Sequence, residues 1–161
     1  MNKLILFVAI AAYCAGCRGK PEVDRNIAIE VAFAQTWKVN LKKDTFTMLY
    51  LSRPPLAIGL GLTEDERNRL IDAWYSLKLD HIEGKTTLKD NCNRMPKLFT
   101  VIKATTAHTS QEISIDENCE DPGFFDSGRE KRLKKFLRLV KDIVFSRAAV
   151  KNAPESDVFY M

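Results

Sequence analysis

The chain has 161 residues, 45% of them hydrophobic and 29% charged, with 7 Gly, 6 Pro and a net charge of +4. That size and balance suit one globular domain that needs neither a metal nor many crosslinks, and they exclude a disordered or fibrous chain. The basicity is mild and is not gathered around an aromatic reading surface, which excludes a nucleic-acid footprint.

Lys3 is followed by an apolar run, LILFVAIAA at residues 4–12, and then by small residues leading to Cys17. This order is the layout of a secretory signal peptide, and the run is shorter than the ~20 residues that span a bilayer. Ala15-Gly16-Cys17 resembles the lipobox of bacterial lipoproteins, in which small residues precede a cysteine that becomes the first residue of the mature protein. Cys14 stands where that family usually carries Leu. Ala9-Ile10-Ala11 also fits an ordinary cleavage site, but cleavage there leaves the apolar region too short. The resemblance implies a signal peptide over residues 1–16, a lipidated and palmitate-bearing Cys17, and a polar tether over 17–26. A thiol can be alkylated by a diacylglyceryl group, and more than one acyl chain anchors stably where a single chain binds only marginally. Arg18, not Asp, follows the cysteine. By the same resemblance, this implies an outer-membrane lipoprotein facing the periplasm of a Gram-negative envelope.

The globular domain is expected over residues 27–147. IAIEVAFA (27–34) reads as a strand. TWKVNL (36–41) alternates Trp37, Val39 and Leu41 with polar residues, and with TFTMLYLS (45–52) it makes a hairpin signature. Pro54-Pro55 interrupts pairing because neither residue donates a ladder hydrogen bond. LAIGLGL (56–62) is a short strand or a lead into the next helix. Thr63-Glu64-Asp65-Glu66 is a capping box, and Leu70, Ile71, Trp74 and Leu77 continue from it as a helical stripe.

PKLFTVIKATT (96–106) and QEISID (111–116) read as two strands joined by a turn at 107–110. Once the signal peptide is removed, Cys92 and Cys119 are the cysteines left beside the lipidated one. An even pair in an oxidising compartment predicts a disulfide, and folding the hairpin about its turn brings the two to its open end. Such a bond contributes ~3 kcal/mol by restricting the unfolded chain. Ser127-Gly128-Arg129-Glu130 caps a second helix. Leu133, Phe136, Leu137, Val140 and Val144 fall on one face of it, and Lys131, Lys134, Lys135, Arg138 and Lys141 on the other. The order of elements predicts an α+β fold, an antiparallel sheet with two helices on one face. Residues 148–161 are a tail ending in Val158, Phe159 and Tyr160, which either dock on the sheet or contact a partner.

Candidate chemistry is sparse. Gly59-Leu60-Gly61 lacks the third glycine of a dinucleotide loop, and Glu64, Asp65 and Glu66 would repel a phosphate. His81 and His108 are expected in loops, without a Ser or Cys motif and without zinc spacing. Asp116, Glu117, Glu120 and Asp121 lack the alternate-ligand spacing and turn glycine of a calcium loop. No metal or small-molecule cofactor is therefore expected. The basic face of the last helix suits either solvent or an anionic leaflet. The function expected is a non-enzymatic envelope lipoprotein that binds a protein partner in a binding or inhibitory, immunity-type role. The alternatives are an envelope assembly accessory, or a small periplasmic hydrolase if a cleft brings His81 or His108 to an acid or nucleophile.

Overall fold

Alternation sets the frame. In β1 (Ala28–Phe33) the side chains of Ile29, Val31 and Phe33 are buried while Ala28, Glu30 and Ala32 are only partly covered, so the strand has one core face. The protein is described by a computed structural model over residues 23–88, 95–118 and 128–158. Cys17, the Cys92/Cys119 pair, Ser127, Glu120, Asp121, Phe159 and Tyr160 lie outside those residues.

The other strands are β2 (Trp37–Asn40), β3 (Thr45–Met48), β4 (Leu56–Gly59), β5 (Lys85–Leu88), β6 (Phe99–Thr105) and β7 (Ser110–Asp116). They form a seven-stranded sheet in the order β4-β3-β2-β1-β6-β7-β5. Every pairing is antiparallel except β5 with β7, so the α+β fold carries a sheet that is mixed at one edge. Register carries the core face across the strands: Val31 sits between Val39 and Ile102, and these continue to Phe46 and Ile113. All five are fully buried, and each contributes ~1.5–3 kcal/mol relative to an exposed side chain. Strand β5 does not follow from the sequence pattern, and the loop before it, expected from His81, is partly a core element. Leu79 and Ile82 are buried there, and the Gln111 side-chain amide donates to the carbonyls of Asp80 and Ile82, both at 2.7 Å, which fastens the segment beside β7.

Two helices cover the core face. The capping box of α1 (Glu64–Ser76) forms as expected: Thr63 Oγ1 accepts from the Glu66 amide, and the Glu66 carboxylate accepts from the Thr63 amide. Leu70, Ile71 and Trp74 face inward, with Leu77 half-buried. Helix α2 (Gly128–Phe145) buries Leu133, Phe136, Leu137, Val140 and Val144, and Phe136 meets Trp74 edge-on with centroids 5.3 Å apart. Arg147, just past α2, pairs with Glu66 in the first turn of α1, so the two helices run antiparallel. A short helix, α3 (Ala148–Lys151), buries Val150, and residues 154–157 then bond to the β3–β4 loop.

Candidate functional site

The register defines two ends of the sheet. The chain enters at Ala28, beside Thr105. Near this end lie the β2–β3 turn and α1, whose Asp72 holds Arg25 at 2.8 Å. At the opposite end Phe33 pairs with Trp37, Trp37 with Met48, and Met48 with Leu56, while Phe99 pairs with Asp116. The C-terminal half of α2 lies over this far end. Lys141 Nζ sits 4.8 Å from the Phe33 ring centroid and 3.3 Å from the Glu117 carboxylate, and Phe145 meets Trp37 edge-on at 5.0 Å.

The large hydrophobic side chains left exposed among the described residues all belong to the far end: Leu51 at 73%, Met95 at 80%, Leu56 and Phe145 at 37%. Single exposed apolar residues are ordinary, and these four are spread along the end of the sheet remote from the start of β1. The β1–β2 turn is at this end too. Ala34 and Gln35 both take positive φ, 40° and 58°, in a turn that usually recruits Asn and Gly.

At this end the β3–β4 loop is tied to the C-terminal segment. The Asp157 carboxylate accepts from the amides of Leu51 (2.7 Å) and Ser52 (3.1 Å) and from the Ser52 hydroxyl. Tyr50 donates its hydroxyl to the Pro154 carbonyl at 2.8 Å, and Ser156 donates to the Leu49 carbonyl at 2.6 Å. The Arg53 guanidinium lies 3.8 Å from the Tyr50 ring centroid. The Ser52 hydroxyl and then the Leu51 amide hold the Asp157 carboxyl below the usual carboxylate range. Reasoning from sequence passed over this loop, because the residues that order it lie more than a hundred positions away.

The sequence-named candidates are spread out. On α2, Lys134 pairs with Glu130 at 2.8 Å, whereas Lys131, Lys135 and Arg138 are exposed and have no acidic partner among the described residues. Lys134, Arg138 and Lys141 line one side of a groove of ≈ 340 Å³, with Ile115 and Glu117 opposite. His81 is exposed just past α1, with Nε2 3.5 Å from Asp80. His108 lies in the β6–β7 turn, where its amide donates to Thr106, and it borders an open space of ≈ 620 Å³ with Asp24, Arg25 and Tyr75. Burial pushes the Tyr75 hydroxyl pKa up, so it stays protonated at neutral pH.

Asp116 is buried and serves the backbone, with Oδ1 accepting from the amides of Leu98 and Asn118. Glu117 is engaged by Thr100 and Lys141. Among the described residues no group of three or more His, Cys, Asp or Glu could hold a metal. The glycine-rich segment has its own anion: the Asp44 carboxylate accepts from the amides of Gly61 (3.1 Å) and Leu62 (2.9 Å), where a phosphate would have to bind. No family model matches this chain, and no curated protein or solved structure matches it.

Proposed function

We propose that this protein is a lipid-anchored bacterial envelope lipoprotein whose domain binds a protein partner in a binding or inhibitory role, without chemistry of its own. The anchor half of the reading rests on the N-terminal order of Lys3, the apolar run at 4–12 and Ala15-Gly16-Cys17. The observation that carries the binding half is the polarity of the domain. The first strand starts at Ala28 at one end of the sheet, and Leu51, Leu56, Met95 and Phe145 are exposed towards the other. A tether of residues 17–26 would then hold the first end towards the membrane and leave the apolar end free for a partner. The position of α2 over that free end favours an acidic patch of the partner, rather than the protein's own leaflet, as what Arg138 and its neighbours meet. Phe159 and Tyr160, which lie outside the described residues, are proposed as further partner contacts.

Cys17→Ser tests the anchor. The variant is expected in the soluble fraction of lysed cells, while the parent sediments with membranes. A Cys17→Ser protein that still sediments with membranes and resists salt extraction would refute the lipid anchor.

A further inference from the structure

We infer that the β3–β4 loop, residues 49–55, is the recognition element of this protein, a preorganised loop that enters a partner's cleft; this rests on the binding reading above. Three observations meet there. First, residues 51–57 are exposed, with Leu51 the most exposed leucine of the described chain at 73%. Second, the loop is fixed from outside itself. The Asp157 carboxylate bonds the Leu51 and Ser52 amides, Tyr50 and Ser156 tie its base to the C-terminal segment, and Pro54-Pro55 fixes two φ angles. An exposed loop that only joined two strands would need none of these long-range bonds, whereas a binding loop gains because ordering is complete before association. Third, the loop carries the side-chain types that dominate interfaces. Leu51 points an aliphatic chain at solvent, and Arg53 is stacked on Tyr50 with no acidic partner among the described residues.

The shape and charge define the occupant: a protein cleft with an apolar pocket for Leu51 and a carboxylate at its rim for Arg53. A lipid surface fits poorly, because the loop is at the end remote from chain entry and displays one cation.

The test uses the full-length protein in cells that make it natively, with a photo-crosslinking amino acid placed singly at position 51, at position 38 on the open face of the sheet, or at position 135 on α2. Position 51 is expected to give one discrete protein adduct. Its yield should fall about ten-fold when Asp157→Asn releases the loop, although Leu51 and Arg53 are untouched, and by a similar factor with Arg53→Glu. Circular dichroism melting of both variants establishes that the fold is retained. An adduct at 51 that ignores Asp157→Asn overturns preorganisation, and one that ignores Arg53→Glu overturns the acidic rim. Adducts from 38 or 135 with none from 51 overturn the loop as recognition element and leave the binding reading standing. No adduct at any position overturns both.

Discussion

Asp157 connects the last described segment to a loop 105 and 106 residues earlier in the chain, and its ionisation state decides whether that connection holds. The Ser52 hydroxyl and the Leu51 amide lower its pKa in the folded protein, with the Ser52 amide adding to them. A carboxyl group depressed in this way stabilises the fold at pH values above its unfolded pKa, and that contribution is lost as pH falls through the folded value. The Leu51 and Ser52 amides should therefore keep their hydrogen-exchange protection at pH about 3.9, where a free aspartate is half protonated, and lose it only in more acidic solution. Protection already lost near pH 5 would show that the carboxylate does not hold the loop. Glu66 has the same sign. The Thr63 amide is its largest stabilising influence and Arg147 a further one, so the junction of α1 and α2 loosens over the same acidic range.

At the level of elements, the β1–β2 turn is the clearest place where local preference and tertiary demand disagree. Ala34 and Gln35 occupy left-handed conformations that cost a side-chain-bearing residue about 1–2 kcal/mol each. They stay there because β1 and β2 are both locked into the core by Val31 and Val39. Gln35→Gly is expected to raise stability by roughly 0.5–1 kcal/mol, read as a higher urea midpoint at unchanged slope; a lowered midpoint would contradict the turn assignment. Strands β1 to β3, β6 and β7 and both long helices were legible in the sequence, because each carries its own signal. Ile29, Val31 and Phe33 alternate, Thr63 and Glu66 announce a cap, and Leu133 to Val144 repeat at helical spacing. Strand β5 was not legible. Lys85, Thr86, Thr87 and Leu88 alternate weakly, and what makes them a strand is parallel pairing to β7 and the grip of Gln111 on the preceding loop. The β3–β4 loop was hidden for a similar reason. Pro54-Pro55 could be read only as an interruption of pairing, since Asp157, Ser156 and Pro154 order the loop from the far end of the chain. The Cys92/Cys119 pairing lies outside the described residues. Among the described residues, Asn118 Nδ2 donates to the Pro96 carbonyl at 2.7 Å at the open end of the hairpin.

At the scale of the whole molecule, the proposed reading is that the N-terminal segment is an address and the domain a spacer between a membrane and a partner. The open face of the sheet fits a solvated role in that arrangement: Glu30, Lys103, Glu112 and Lys85 lie side by side across four strands, and Glu112 pairs with Lys85 at 2.8 Å and Lys103 at 3.5 Å. Opposite charges on neighbouring strands hold register and keep that face polar. The apolar display is thereby left to the end carrying Leu51, Leu56, Met95 and Phe145. That polarity is useful to a binding protein only if the other end is tethered, so processing at Cys17 is the central claim. The most direct measurement is the intact mass of the protein extracted from membranes. The account predicts a chain that begins at Cys17, carries diacylglyceryl and acyl mass, and lacks the two hydrogens that a Cys92–Cys119 disulfide removes. An unmodified chain beginning elsewhere would contradict it.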